Sequence, residues 1–147
     1  MARDPPRIAV VDDESGVRSG LTRLLRSAGF DSAAYAAGAE FLDDLATTRP
    51  DGLILDLRMP EMDGFELLDR LADSGRDIPV VILTSFPSAE TRHRAYEAGV
   101  VAFLEKPAER AALLEALDRA LSIGLRTEPP SDRDDFDPES MREESIP

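Results

Sequence analysis

Four short apolar segments, each bounded by turn-forming or acidic residues, constrain the fold of this 147-residue chain more than any other feature. They are Ile8–Val11, Gly52–Leu55, Pro79–Leu83 and Val100–Leu104. Runs of this kind are typical of strands that are buried on both faces, as in a parallel sheet. A weaker run, Asp31–Tyr35, predicts an additional strand at the edge of that sheet.

Segments with apolar residues at helical spacing separate these runs and predict five helices. The first helix begins at Ser15 and is closed by Gly29, while the third and fourth end at Gly75 and Gly99. The residues at helical spacing are Val17, Leu21, Leu24 and Leu25; Phe41, Leu42 and Leu45; Phe65, Leu67, Leu68 and Leu71; Ala95, Tyr96 and Ala98; and Leu113, Leu114, Leu117 and Leu121. Strands that alternate with helices predict an α/β fold with a doubly wound five-stranded parallel sheet.

Composition narrows the class of protein. An apolar content of 42% supports a buried core, and the absence of Cys excludes disulfides, zinc–thiolate sites and Cys nucleophiles. The formal net charge of −13 argues against direct binding of nucleic acid. No apolar run approaches the ~18 residues of a membrane span. We therefore expect a cytoplasmic chain that does not associate with a membrane.

The composition of the C-terminal segment indicates where the folded domain is expected to end. Residues 126–147 carry eight acidic residues, three Arg and four Pro, but only three large apolar residues. Such a segment buries too little apolar surface to offset the entropy of ordering. We expect an extension at 1–5, one domain at 6–123, and a disordered acidic tail or linker at 124–147. The tail is interpreted as a solubilising end, with docking or dimer capping as the alternative.

Polar residues follow the predicted strands, and the carboxyl ends of parallel strands meet at one edge of the sheet. Asp12 and Asp13 follow the first strand, and Asp56 follows the third. Thr84 follows the fourth strand, and Lys106, the one Lys among 17 basic residues, follows the fifth. Any one of these residues suits a turn or helix cap. Their shared position at strand ends predicts a functional site.

The carboxylates of this edge predict a cation site with phosphoryl chemistry. Carboxylates within a few ångström repel one another, and a hard divalent ion such as Mg²⁺ relieves that repulsion. Bound Mg²⁺ attracts a phosphoryl group, while Lys106 and Thr84 can bind its remaining oxygens. A carboxylate can itself be the nucleophile. The single histidine, His93, lies in a helical segment away from the strand ends and is interpreted as an exposed surface residue.

Four motifs resemble the receiver domain of two-component response regulators. They are Ile8–Glu14 (IAVVDDE), Leu53–Gly64 (LILDLRMPEMDG), Val81–Ser85 (VILTS) and Ala102–Pro107 (AFLEKP). Successive separations from Asp13 to Asp56, Thr84 and Lys106 are 43, 28 and 22 residues, as in such domains. The resemblance covers residues 6–123 and implies the flavodoxin-like strand order 2-1-3-4-5. The chain is also similar to the subgroup of response regulators whose receiver domain is joined to a helix-turn-helix output domain.

The resemblance implies a role for each residue at the strand ends. Asp56 would accept the phosphoryl group. Asp13 and Asp56 would ligate Mg²⁺ directly, whereas Asp12 would act mainly through water. Lys106 would pair with the phosphoryl group, and Thr84 would swing toward one of its oxygens.

Switching and tuning residues are also implied by the resemblance. Phe103 matches the switch aromatic and would turn inward on phosphorylation. The backbone carbonyl of Arg58 would be a further Mg²⁺ ligand, and Gly64 would close the loop after the phosphoacceptor. Arg58 and Phe86 flank the site and would tune hydrolysis of the phosphoryl group. The Lys106–Pro107 peptide bond is expected to be cis.

The function implied is a phosphorylation switch rather than an enzyme acting on a separate substrate. A histidine kinase or phosphotransfer protein would phosphorylate Asp56, and the surface of the fourth helix, fifth strand and fifth helix would then contact a partner or form a homodimer. Three alternatives stay open: the receiver part of a DNA-binding transcriptional regulator, a stand-alone Mg²⁺-dependent phosphohydrolase, and an inactive pseudo-receiver scaffold. No helix-turn-helix is predicted after residue 123, so we do not expect this chain alone to bind DNA.

Overall fold

The computed structural model describes residues 4–126, which form a five-stranded parallel sheet with helices on both faces. The elements are β1 (Arg7–Val11), α1 (Ser15–Ser27), β2 (Asp31–Tyr35), α2 (Gly38–Asp44), β3 (Gly52–Leu55), α3 (Gly64–Ser74), β4 (Val80–Thr84), α4 (Ala89–Glu97), β5 (Ala102–Glu105) and α5 (Arg110–Arg126). The strand order is β2-β1-β3-β4-β5, and all neighbouring strands are parallel. The predicted doubly wound fold and strand order are confirmed.

Alternate strand residues supply two apolar clusters, one on each face of the sheet. In β1, Ala9 and Val11 contribute to the cluster under α2, α3 and α4, whereas Ile8 and Val10 contribute to the cluster under α1 and α5. Every residue of β3 and β4 is buried for the same reason. Because helices cover both faces, the strands appear in the sequence as continuous apolar runs rather than as an alternating pattern.

The weak fifth run forms the predicted edge strand. β2 pairs only with β1, and none of its five residues is fully buried. Its small and polar residues fit this position because one side of the strand has no neighbour in the sheet.

Two strands begin later than the apolar runs predict, with consequences for the site. The amide of Val100 donates to the carbonyl of Ala95 at the end of α4, and Gly99 has a φ of 97°. Since this turn closes the helix, Val100 is not free to begin β5. Both strands also end one residue later than the predicted runs, so Thr84 and Glu105 occupy the last positions of their strands rather than the loops that follow.

The helices end next to the predicted glycines, with one difference from the predicted boundaries at the C-terminus. Gly29 and Gly75 follow α1 and α3 with positive φ angles. α5 continues to Arg126, so the helix includes the first three residues of the segment 124–147 that was predicted to be a tail. Residues 127–147 lie outside the described residues. Within 4–126, no helix is long and apolar enough to cross a membrane.

Candidate functional site

Three carboxylates come together at the carboxyl edge of the sheet, as predicted. Asp12, Asp13 and Asp56 each offer an oxygen, and these oxygens lie within 4.8 Å of one another. Asp12 and Asp56 are 2% and 4% exposed, whereas Asp13 is open to solvent. A set of oxygen donors with one open side suits a hard divalent cation. The cluster can therefore hold a metal ion.

Backbone pairing explains why the two buried carboxylates are neighbours. Val11 pairs with Leu55 in the register of β1 and β3, so Asp12 and Asp56 leave adjacent strands at the same level. The amide of Asp56 donates to the Val11 carbonyl at 3.1 Å, and the amide of Asp12 donates to the Tyr35 carbonyl at 3.1 Å. The sheet thus extends its hydrogen bonding to the first residue of each loop and fixes both carboxylates.

Each buried carboxylate also accepts a hydrogen bond from the loop that follows it. Asp12 Oδ1 accepts from the Glu14 amide at 2.9 Å, and Asp56 Oδ1 accepts from the Arg58 amide at 3.1 Å. Arg18 Nη1 donates to the backbone carbonyl of Asp12 at 2.7 Å. Arg18 was not identified from the sequence, although its position four residues after Glu14 places it on the first turn of α1, facing the same loop.

Lys106 joins the cluster from the end of β5. Its Nζ lies 2.8 Å from Asp12 Oδ2, 3.0 Å from Asp56 Oδ2 and 3.1 Å from Glu14 Oε1. Burial by itself lowers the pKa of Lys106, but the hydrogen bonds to these three carboxylates outweigh burial and raise the pKa above its ordinary value. The ammonium is therefore charged at neutral pH. The Lys106–Pro107 peptide bond is cis, as the resemblance implies.

The raised pKa of Asp12 shows the electrostatic cost of bringing these carboxylates together. Burial raises the pKa of Asp12, and the nearby charge of Asp56 acts in the same direction. Hydrogen bonds from Lys106 and from the Glu14 amide oppose the rise without cancelling it. A cluster whose charged form is disfavoured in this way is one that a bound cation stabilises.

Thr84 and Phe103 lie on the same face of the sheet, in neighbouring strands. The buried Thr84 donates its hydroxyl to Asp56 Oδ1 at 2.9 Å. Phe103 is 4% exposed and belongs to the same apolar cluster as Ile82, which is two residues before Thr84 in β4. Thr84 therefore contacts Asp56 and the Phe103 ring lies inward in this structure. The movements assigned to both side chains stay predictions.

Arg58 and Phe86 form the rim of the site. The guanidinium carbon of Arg58 is 5.5 Å from the centroid of the Phe86 ring, within the range of cation–π attraction. Phe86 is 80% exposed and has a φ of 53°, which is unusual for an aromatic residue. With Phe65 and Thr84, the pair borders a cleft of about 210 Å³. The structure thus brings both residues to the site, while their tuning role stays a prediction.

Gly64 allows the loop after Asp56 to close. Its amide donates to the Leu57 carbonyl at 3.1 Å. A Cβ on Gly64 would lie 2.7 Å from the backbone oxygen of Asp56 and 2.8 Å from the Cα of Leu57. Contacts this short involve backbone atoms that cannot move aside without displacing the loop, so only glycine fits here.

His93 lies outside the site. Its side chain is exposed on α4 and its Nε2 is 3.3 Å from Glu97 Oε2, one helical turn away. The interpretation of His93 as a surface residue is confirmed. Glu14, in contrast, belongs to the site through its contact with Lys106. The sequence motif contains Glu14 but gave no reason to expect that contact.

The doubly wound parallel sheet, with carboxylates, a threonine and a lysine together, belongs to the class of α/β domains whose functional site lies outside the carboxyl ends of the strands. The model of the response regulator receiver domain matches residues 8–118, and the chain belongs to this family. The prediction of a receiver domain of a two-component response regulator is thereby confirmed.

Individual relatives agree with this assignment. The curated protein Response regulator MprA of Mycobacterium avium (strain 104) is 40% identical over 126 residues, which cover 86% of this chain and 54% of that protein. The crystal structure of FixJ-N has a TM-score of 0.75 and 35% identity, covering 83% of this chain and 96% of that one. The response regulator receiver protein from Burkholderia phymatum has a TM-score of 0.72 and 39% identity, covering 80% and 95%. This chain spans about half the length of the curated relatives it matches.

Proposed function

We propose that this chain is a phosphorylation switch in which Asp56 accepts a phosphoryl group in a Mg²⁺-dependent reaction. One observation carries the proposal: both carboxylate oxygens of Asp56 are contacted by groups suited to a phosphoryl group. Thr84 donates to Oδ1 and Lys106 donates to Oδ2, beside a carboxylate cluster that can hold a metal ion. A hydroxyl and an ammonium on either side of a carboxylate support the proposal, because both groups can bind the oxygens of an acyl phosphate.

The proposed Mg²⁺ ligands are Asp13, Asp56 and the backbone carbonyl of Arg58, with Asp12 acting mainly through water. These residues suit Mg²⁺ because all of their donor atoms are oxygens and because the cluster is open to solvent at Asp13. When bound, Mg²⁺ neutralises charge on the phosphoryl oxygens during transfer.

Phosphoryl transfer begins when a histidine kinase or a phosphotransfer protein presents a phosphohistidine. A carboxylate oxygen of Asp56 attacks the phosphorus, so that an O–P bond forms as the N–P bond breaks, and the imidazole leaves with the bonding electron pair. Lys106 stabilises the charge on the transferred group. Thr84 turns its hydroxyl from Asp56 to a phosphoryl oxygen. The chain thus catalyses its own phosphorylation and does not act on a separate substrate.

The output of the switch is a change in the surface formed by α4, β5 and α5. Thr84 in β4 and Phe103 in β5 lie on the sheet face under α4, so a change at Asp56 reaches this helix through adjacent side chains. The phosphoryl group shifts an existing equilibrium of that surface, which then contacts a partner or a second copy of the chain. Arg58 and Phe86 tune how readily water reaches the acyl phosphate.

The receiver domain comprises residues 6–123, preceded by residues 1–5 and followed by the acidic segment 124–147. The net charge of −13 supports a protein partner rather than direct contact with nucleic acid. We place the reaction in the cytoplasm, where Mg²⁺ is the ordinary hard divalent cation.

Incubation of the chain with Mg²⁺ and acetyl phosphate tests the proposal. Intact mass spectrometry is expected to show a gain of one phosphoryl group, and peptide mapping is expected to place it on Asp56. Chelation of the cation and the substitution Asp56→Asn should each remove the gain. Asp73→Asn, an exposed position on α3, serves as the matched control and should be modified like the original chain. A gain that persists in Asp56→Asn would show that another residue is the acceptor.

Asp13→Asn is expected to weaken Mg²⁺ binding by about tenfold or more, equivalent to ~1.4 kcal/mol. The exposed Asp13 contributes charge to the cluster and has no hydrogen bond there among the described residues, so its loss removes a ligand without disturbing the fold. Titration calorimetry measures the affinity, and the rise in melting temperature caused by Mg²⁺ should shrink in parallel. Asp69→Asn on the exposed side of α3 should leave both quantities unchanged. Equal affinities for the two variants would argue against a ligand role for Asp13.

A further inference from the structure

Helix α4 is anchored by very little apolar burial. Of its nine residues only Ala95 is buried. Helix α3, by comparison, buries Phe65 and three leucines against the same face of the sheet. A single alanine methyl removes far less apolar surface from water than those side chains, and therefore stabilises the docked helix far less. Other contacts must hold α4 against the sheet.

Two arginines of α4 contact aromatic rings that belong to two different elements. The guanidinium carbon of Arg92 is 5.0 Å from the centroid of Phe103 in β5. That of Arg94 is 3.9 Å from the centroid of Phe65 at the start of α3. Both distances fall within the range of about 6 Å for cation–π attraction. Both rings are almost fully buried, whereas both arginines reach solvent, so the arginines cover the rings from outside.

Both rings belong to one apolar cluster, and each is linked to a different part of the carboxyl-edge site. Phe103 pairs with Ile82 in the β4–β5 register, and Thr84 follows two residues later on the same sheet face. Phe65 follows Gly64, whose amide closes the loop after Asp56. Because Arg92 lies over Phe103, an outward rotation of the ring would separate it from the guanidinium.

We propose that Arg92 and Arg94 are positioning residues that clamp α4 onto β5 and α3, and that Arg92 holds the Phe103 ring in its buried position. Within residues 4–126, neither arginine contacts a carboxylate of the cluster formed by Asp12, Asp13 and Asp56. Arg92 acts on Thr84 through Phe103, and Arg94 acts on the Asp56 loop through Phe65. The effect on switching rests on the proposed function, whereas the clamp itself does not.

Hydrogen exchange of the α4 amides in the full chain tests the clamp. Arg92→Met and Arg94→Met keep a long side chain but remove the charge, so they separate cation–π attraction from simple packing. Each variant is expected to exchange about two- to fivefold faster in α4, and the double variant about five- to thirtyfold faster. Arg92→Lys retains a cation and should restore most of the protection. Amides in α1 and in the sheet should be unchanged.

His93→Ala is the matched control because His93 is exposed on the same helix and contacts Glu97 rather than a ring. Acceleration in His93→Ala equal to that in the arginine variants would overturn the clamp. Faster exchange in every element would also overturn it, since that pattern reports global destabilisation rather than local release of α4.

A spectroscopic readout isolates the positioning of Phe103. The aromatic resonances of Phe103 are expected to shift in Arg92→Met and to stay in place in Arg94→Met, a difference that a general loss of stability cannot produce. Resonances of Phe103 that are unchanged in Arg92→Met would refute the role assigned to Arg92. These measurements use the chain without any phosphodonor, so a failure of Asp56 to accept a phosphoryl group would leave their outcome unaffected.

Discussion

Replacing Lys106 by Met is expected to lower the free energy of unfolding by about 3–5 kcal/mol when no divalent cation is present. Within residues 4–126, Lys106 is the only cation whose nitrogen lies within salt-bridge distance of Asp12 and Asp56. Removing it leaves two nearly buried carboxylates without compensation. Since the pKa of Lys106 is raised above its ordinary value of 10.5, this stabilisation is present at neutral pH and is lost as the pH rises through the folded-state value.

Urea denaturation with and without Mg²⁺ measures this effect. Mg²⁺ should recover part of the loss in Lys106→Met, because the cation replaces some of the missing positive charge. Arg70→Met is the control, since it breaks the exposed Arg70–Glu66 pair and should cost no more than about 0.5 kcal/mol. If Lys106→Met costs no more than Arg70→Met, Lys106 does not hold the cluster together.

Gly64→Ala is expected to destabilise the domain by about 1–3 kcal/mol and to weaken Mg²⁺ binding as well. The added methyl would lie 2.7 Å from the backbone oxygen of Asp56 and 2.8 Å from the Cα of Leu57. Both are backbone atoms, so the loop must shift to relieve the overlap. That shift displaces the residue that carries the carboxylate of the site, and the loss of affinity follows from the same movement.

Gly20→Ala provides the control for this substitution. Gly20 lies inside α1, and a Cβ there would meet no atom within 4 Å. Because alanine favours helix more than glycine does, Gly20→Ala should raise stability by up to about 1 kcal/mol and leave Mg²⁺ affinity unchanged. Opposite signs for the two variants in denaturant unfolding are therefore expected. Retention of full stability and affinity in Gly64→Ala would show that the loop tolerates the methyl.

The fold could be predicted largely because helices cover the sheet on both faces. Continuous apolar runs such as Gly52–Leu55 identify strands of this kind, and the alternating helices then favour one architecture. The starts of the strands were harder to predict. Val100 is apolar and follows Gly99, but its amide closes α4, so hydropathy alone placed the start of β5 two residues too early. Hydropathy reports burial, whereas a strand boundary depends on where each backbone amide finds its partner.

The site was predictable to the extent that its members follow strands. Asp12, Asp56 and Lys106 meet because parallel strands end at one edge, and this geometry needs no knowledge of side-chain conformation. Arg18 and Arg92 were not found, because long cationic side chains reach partners on other elements and their targets depend on packing. A sequence pattern that records apolar spacing counts such residues only as solvent-exposed.

The presence of one lysine in the chain has a practical consequence for its chemistry. Lys106 is the only side-chain amine among the 147 residues, and it is engaged by three carboxylates with only 11% of its side chain exposed. A fully protonated, shielded amine is a poor nucleophile, so reagents directed at lysine have almost no reactive side chain on this protein. Amine coupling should therefore take place at the α-amino group rather than at Lys106 and leave the carboxylate cluster unmodified.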